Sequence, residues 1–374
     1  MNRRICLITE SLDRRRGGAE KHLTDLAHSF AHAGYLVRAF LRRPGSSPSS
    51  VEAEVIPTWW GGGPLREWAF TRSVQRRLAG TSDMVFSTLP LVLPEVTHYF
   101  SPAGLYRTGF EAERASFDPG LQQRCYRLGN RLNLQRQQRM TAQEKLLARK
   151  PPLKILTLSA AARNQILSRS PAASVVTIPP GVDLTEFRPS PVASPRGEKL
   201  QLLFVGHNFR LKGLHCLLRA LSISERRGLR ADLTVAGGGA IREFKALAES
   251  LGLADHVQFL GRVADETIGE LYRKSDALLH PTFADHCSLV VLEALASGTP
   301  VITTRRNGAA ELMESGRHGF VLEDPLDIDA LAAALLRLED REKLGEMRAA
   351  AAALRPDLDF ADHARRVLAW LTGD

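Results

Sequence analysis

The sequence predicts two successive α/β domains, each built on a doubly wound parallel sheet, and three observations carry that prediction. Short apolar runs of strand length alternate with helix-period segments along nearly the whole chain. The alternation restarts after a proline- and serine-rich stretch, RPSPVASPRGE (188–198). The length of 374 residues, 44% of them hydrophobic, is enough for about two well-formed cores. A ligand cleft is expected between the domains, outside the carboxyl ends of the strands.

The elements follow in order. RRICLIT (3–9) reads as a buried strand, ESLDRRRGGAE as the loop after it, 19–33 as a helix stopped by Gly34, and YLVRAFL (35–41) as the next strand. That is one βαβ unit. In the second half the strands LQLLFVG (200–206), DLTVAGGG (232–239), HVQFLG (256–261) and DALLHP (276–281) alternate with helices at about 213–227, 241–250 and 265–273. The domains are set at 1–183 and 184–355, with a last segment, 356–374, carrying a helix at 361–371.

Composition excludes several classes. The four cysteines, Cys6, Cys125, Cys216 and Cys287, are scattered without paired spacing, so neither a disulfide framework nor a zinc site is expected and a reducing cytoplasm fits. The apolar run near the N-terminus is ended by Thr9 and Glu10, so no signal peptide or spanning helix is expected. The net charge of +9 is uneven: residues 1–180 hold 26 basic against 13 acidic side chains, and the remainder 24 against 28. The first half should therefore face something anionic, whether a membrane surface, nucleic acid or a phosphorylated substrate.

Candidate site residues gather at the predicted strand ends. Gly17 and Gly18 follow the first strand and open a helix, which makes either an anion site or a tight turn. VGHNFRLKG (205–213) places Gly206, Arg210 and Lys212 at another strand-to-helix passage, where the lysine is either merely exposed or paired with an anion. After DALLHPTF come Asp285, His286, Cys287, Ser288 and Leu289, then Glu293 inside an apolar helix. A buried carboxylate needs a partner. Glu293 either pairs with an arginine or accepts hydrogen bonds from hydroxyls, and a sugar supplies neutral hydroxyls beside a phosphate. His98 is a polar candidate for the cleft or a structural histidine.

Two aspartate pairs are set aside. DID (327–329) and DLD (357–359) precede helices, so helix capping explains them and no metal requirement is expected. The segment 121–150 holds eight basic residues against one acid. On a helix Leu121, Cys125, Leu128 and Leu132 form an apolar stripe beside Arg124, Arg127 and Arg131. It is either a core helix with a solvated arginine face or a surface that docks on an anionic leaflet. Nucleic acid binding lacks aromatic interleaving and any recognised module.

Taken together, the acid-x7-acid spacing of Asp285 and Glu293, the glycine pair, the VG…KG loop, FLGRV, PTF…LEALASGTPVI and NGAAEL…GRHGFVLE resemble the large retaining glycosyltransferase family with the GT-B fold. The resemblance spans nearly the whole chain. It implies that Gly17 and Gly18 approach a donor diphosphate, Arg210 or Lys212 neutralises it, Arg262 and Val263 flank the base, Glu293 binds ribose hydroxyls and Asp285 the sugar hydroxyls. His286 to Leu289 would form the helix start at the donor, and no cofactor beyond the nucleotide sugar is implied. Two positions depart from the family: Asp285 stands where glutamate is usual, and His207 where a basic residue follows the VG glycine.

TLPLVLPEVTHYFSPAGLYR, the basic segment, ILTLSAAARNQI and VVTIPPGVDLTEFRP further resemble lipopolysaccharide core glucosyltransferases. That subgroup carries an aspartate shortly after the YF pair, where this chain runs Ser101-Pro102-Ala103-Gly104. The resemblance implies a hexose moved from a nucleotide sugar, best matched by UDP-glucose, to a lipid-linked or phosphorylated glycan. The enzyme would be cytoplasmic and peripheral on the inner face of the membrane. The other reading is a non-catalytic relative that binds anionic membrane or nucleic acid through its basic half.

Overall fold

The computed structural model describes residues 4–57, 63–81, 83–102, 104–190 and 197–373; residues 191–196 of the proline- and serine-rich stretch and Ala103 lie outside the described residues. The chain forms two compact units. The first comprises Met1–Arg114, Asp118–Pro180 and Ala361–Asp374, the second Ala115–Phe117 and Gly181–Phe360. The divisions fall after Pro180 and Phe360, a few residues from the boundaries at 183 and 355 read from the sequence.

The first unit carries seven strands: β1 (Arg4–Thr9), β2 (Leu36–Leu41), β3 (Glu52–Val55), β4 (Met84–Ser87), β5 (His98–Phe100), β6 (Lys154–Thr157) and β7 (Ser174–Thr177). Their order is β3-β2-β1-β4-β5-β6-β7, and every pairing is parallel. The second unit carries β8 (Leu200–Val205), β9 (Ala231–Ala236), β10 (Val257–Gly261), β11 (Ala277–His280), β12 (Val301–Thr304) and β13 (Gly319–Leu322), in the order β10-β9-β8-β11-β12-β13. Helices cover both faces of such sheets, which is why Leu202, Leu203 and Phe204 run apolar without alternation and are all buried.

This strand order has one reversal in each sheet, between β1 and β4 and between β8 and β11. Consecutive crossovers leave in opposite directions there, so the loops after those strands part and leave a crevice at the carboxyl end. The core of the second unit, with Phe204, Phe209, Leu217, Leu221, Phe244, Leu279 and Phe283 buried, fixes the bases of those loops. Each such side chain contributes about 1.5–3 kcal/mol by burial.

The helix Phe360–Thr372 belongs to the first unit from Ala361 onward. There His363 Nε2 lies 3.1 Å from His22 Nε2, and Trp370 packs edge-on against His98 with ring centres 4.8 Å apart. The basic segment 121–150 is helical in two pieces. The chain forms helices Leu121–Leu132 and Leu134–Leu147, separated by Asn133, whose side chain caps the second by accepting from the Arg136 N–H at 3.0 Å. None of the residues of 121–132 is buried, so the core-helix reading fails for that part.

Candidate active site

The crevice of the second sheet is built from the loops after β8 and β11. They are locked together backbone to backbone. Gly213 has φ +80°, and a Cβ there would lie 2.0 Å from the Pro281 carbonyl oxygen, so only glycine permits the approach. The Leu211 carbonyl accepts from the Phe283 N–H at 2.9 Å and the Thr282 hydroxyl at 3.2 Å. Lys212 is thereby carried to Asp285, and its ammonium pairs with the Asp285 carboxylate.

That pair is about one-fifth exposed on each side, 19% for Lys212 and 20% for Asp285. Burial opposes the charged form of Asp285, but the ammonium and the neighbouring His280 ring outweigh it and hold the carboxyl well below the usual carboxylate range. Asp285 is fixed through its backbone as well: its N–H donates to the Arg306 carbonyl at 3.0 Å and its carbonyl accepts from the Gly308 N–H at 2.8 Å.

Ser288 then occupies the N-cap position of the helix Leu289–Ala296, without a side-chain capping bond. The fully buried Asn307 holds this entry: its Oδ1 accepts from the Ser288 N–H at 3.2 Å and the Ala309 N–H at 3.1 Å, and its Nδ2 donates to Thr303 Oγ1 at 3.1 Å. The positive end of that helix thus starts beside Asp285, where an anion is stabilised by N–H groups and the peptide dipoles. Cys287 is buried, and burial, then Asp285 and Glu311, push its thiol well above the usual range, so it offers no thiolate.

Glu293 lies on that helix with 6% exposure and accepts a hydrogen bond from the buried Tyr272 hydroxyl at 3.0 Å. The Tyr272 carbonyl is in turn held by the Thr299 hydroxyl at 2.7 Å.

The other sequence candidates of this unit sit on neighbouring loops. Gly206 directly follows β8, and at Gly237 (φ +125°) a Cβ would lie 1.8 Å from the Gly206 carbonyl oxygen, so the loops after β8 and β9 touch through their backbones. His207 Nδ1 accepts from the Gly238 N–H at 3.4 Å, and a Cβ at Gly238 would meet Arg262 Nε at 3.0 Å. Arg262 and Val263 follow β10. Arg210 does not join the Lys212 pair: its guanidinium pairs with Glu243. A cavity of about 350 Å³ lies there, lined by His207, Phe209, Arg210, Glu243 and Phe244 among others. His286 and Leu289 are half-buried on either side of Cys287 and Ser288.

In the first unit Gly17 precedes the helix Gly18–His32, with extended φ of 167°, which any residue adopts. His98 opens β5 rather than closing it. It is buried, accepts or donates to the Thr97 hydroxyl at 2.9 Å, and has its pKa lowered to about 4 by burial and then by Lys154. Its surroundings are those of a packed histidine, the second of the two readings given for it above. Asp327 caps the helix Ile328–Leu336 by accepting from the Ala330 N–H at 2.9 Å. Among the described residues no group of three His, Cys, Asp or Glu side chains could hold a metal ion.

Three residues escaped the sequence reading: His280, Asn307 and Tyr272. His280 is signalled only by a histidine at the end of an apolar strand, and Tyr272 and Asn307 meet Glu293 and Ser288 only through the fold.

Residues 189–355 match the family model described as glycosyl transferases group 1. Among curated proteins, the chain is 32% identical over 193 residues to a D-inositol 3-phosphate glycosyltransferase of Corynebacterium jeikeium, covering 46% of each chain. It is 34% identical over 196 residues to a GDP-mannose-dependent alpha-(1-6)-phosphatidylinositol monomannoside mannosyltransferase of Mycobacterium tuberculosis, covering 48% of this chain and 51% of that one. The match thus spans about half the length of these relatives. Among solved structures, WaaG, a glycosyltransferase involved in lipopolysaccharide biosynthesis, superposes over 99% of this chain and 100% of its own with TM-score 0.80 and 22% identity. HepE of Anabaena in complex with UDP and glucose does so over 100% of both with TM-score 0.74 and 19% identity. These likenesses speak for the fold. Residues 189–355 thus match the glycosyl transferases group 1 family, and the whole chain shares its two-unit fold with these solved structures.

Proposed function

We propose that the protein transfers a hexose from a nucleotide sugar to a glycan acceptor, and that the donor lies in the crevice between the loops after β8 and β11. The observation that carries this reading is the Lys212–Asp285 pair beside the N-terminus of the helix Leu289–Ala296. A cation and helix N–H groups stand where a leaving diphosphate would gain charge, and a carboxylate stands beside them to accept from sugar hydroxyls. Stabilising that developing charge is electrostatic work that needs no protein nucleophile. Glu293, already accepting from a hydroxyl, takes the ribose hydroxyls. Arg262 and Val263 flank the base, and no metal or further cofactor is required.

For the donor we favour UDP-glucose. The fold likeness to a protein crystallised with UDP and glucose supports it, while the GDP-mannose-dependent relative makes GDP-mannose the competitor. For the acceptor we favour a lipid-linked glycan such as the lipopolysaccharide core, in line with the fold likeness to WaaG. The protein would work at the inner face of the cytoplasmic membrane. No helix among the described residues is long and apolar enough to cross a membrane. The surface that supports docking is the helix Leu121–Leu132, whose Leu121, Leu128 and Leu132 are exposed beside exposed Arg124, Arg127 and Arg131.

A panel of UDP- and GDP-sugars tests the reading, first by the rise in unfolding temperature and then by release of nucleoside diphosphate. One nucleotide sugar should stabilise the protein and be turned over. Absence of both effects across the panel would sink the enzymatic reading and leave a non-catalytic membrane-binding relative.

A further inference from the structure

His280 has no part in the chemistry set out above, yet it is packed against its centre. It closes β11 with 1% exposure, stacked on Phe204 at a ring-centre distance of 6.2 Å. Its Nε2 lies 3.3 Å from the Ser288 hydroxyl and 3.6 Å from Asp285 Oδ2. Its Nδ1 is buried without a hydrogen-bond partner. Lys212 and Asp285 are the charged groups set against the ring, from the loops after β8 and β11.

A neutral imidazole has one N–H to place. On the Nε2 side the Asp285 carboxylate and the Ser288 hydroxyl can accept it, and the ionised carboxylate is the stronger acceptor, while the Val205 carbonyl near the ring makes no hydrogen bond to Nδ1. Burial, the largest influence on the ring, and the nearby Lys212 ammonium disfavour a second proton. His280 is thus a neutral donor facing a carboxylate that Lys212 presently holds. The 3.6 Å gap is a few tenths of an ångström beyond a hydrogen bond.

We propose that His280 is a positioning residue: its Nε2–H takes hold of the Asp285 carboxylate when Lys212 leaves that carboxylate for the diphosphate of the donor. The proposal rests on the donor reading above. Its logic is that one ammonium cannot serve both anions in full. A carboxylate four-fifths enclosed and deprived of its cation would otherwise take up a proton or rotate away from the sugar. The Ser288 hydroxyl shares Nε2 in the resting state, so the proton can pass between these acceptors without moving the ring.

Nitrogen-15 NMR of histidine rings tests this without relying on activity, with the His280 signal assigned from its loss in His280→Gln. In Lys212→Gln the His280 titration should move up by about one pH unit, because its partner carboxylate is no longer neutralised. In an Asp285→Asn background the same lysine substitution should move it less, since only the direct repulsion by the ammonium is then removed and the part carried by the carboxylate is gone. Equal shifts in the two backgrounds would overturn the proposal. Adding UDP or GDP to the wild-type protein should shift His280 in the same direction as Lys212→Gln. A shift in the variant with none from either nucleotide would leave the His280–Asp285 link standing and overturn the donor reading instead. With transfer as the readout, His280→Gln, whose amide reaches the Nε2 position, should keep turnover within a few-fold of wild type. His280→Leu should lose about tenfold or more at an unchanged unfolding temperature. Matching activities for the two variants would remove His280 from the reaction.

Discussion

The Lys212 ammonium lies on the Asp285 carboxylate although 73 residues of chain separate them. A pair so placed neutralises itself until an anion arrives, and under the proposed function that anion is a leaving diphosphate, which needs the ammonium most late in the reaction. Interactions stronger in the transition state than in the bound donor raise turnover.

Lys212→Ala should therefore lower turnover by about a hundredfold or more while changing donor affinity far less. Steady-state rates set beside calorimetric binding of the nucleotide sugar measure the two effects separately. Wild-type turnover in the variant would exclude this lysine from catalysis.

Glu293→Gln should weaken binding of the nucleotide sugar by about tenfold or more, because an ionised acceptor for ribose hydroxyls becomes a neutral amide. The unfolding temperature should change little, since the amide can still accept from the Tyr272 hydroxyl 3.0 Å away. A variant that unfolds yet binds donor normally would make Glu293 a packing residue.

Gly213→Ala should destabilise the protein by about 2 kcal/mol or more, from the left-handed backbone and the contact with the Pro281 carbonyl. Because the two loops must part to admit the methyl group, donor turnover should fall with it. Urea unfolding and a rate assay on the same preparation report both.

Stability should fall as pH drops from about 6.5 towards 4. Burial holds His363 at about 4, against an ordinary value of 6.5, with a smaller opposing contribution from the Pro179 carbonyl that accepts from it. His98 is lowered to about 4 as well. A histidine whose folded value is depressed binds fewer protons folded than unfolded, so its stabilising share is complete above about 6.5 and lost through this window. The slope is about 1.4 kcal/mol per pH unit for each histidine while it titrates. Unfolding curves between pH 7.5 and 4.5 should show the slope, and His363→Gln should reduce it.

Replacing Arg124, Arg127 and Arg131 together by alanine should cost about 3 kcal/mol of affinity for vesicles rich in anionic lipid if all three face the surface. All three are exposed, so the fold should tolerate the change. Binding should also weaken in high salt. Vesicle sedimentation that is equal for variant and wild type would leave the arginines as a solvated face.

Most of the architecture was legible in the sequence. Parallel strands covered on both faces read as continuous apolar runs, as in 200–206 and 276–281, and glycine or proline marked their ends. The acid-x7-acid spacing and the loop glycines pointed to the loops after β8 and β11, which the structure brings together through Gly213 and Pro281. The 121–150 segment was harder: its pattern is amphipathic, and periodicity alone does not say whether an apolar stripe meets a core or solvent. The break at Asn133 depends on that residue serving both helices as a cap.

What local pattern could not supply was partnership. Lys212 and Arg210 are both candidates along the chain, basic and two residues apart. Only the packing of Gly213 against Pro281 carries one to Asp285, while the other meets Glu243 on the helix Ile241–Ser250. Likewise Glu293 declared itself by its burial, but Tyr272 reaches it only through the packed fold, and His280 and Asn307 converge on Asp285 and Ser288 from β11 and the turn after β12. Periodicity and spacing are encoded along the chain, so they determine elements and their order. A hydrogen bond or ion pair is a distance of about 3 Å between side chains from remote segments, and the folding of the sheet and its loops decides which segments meet.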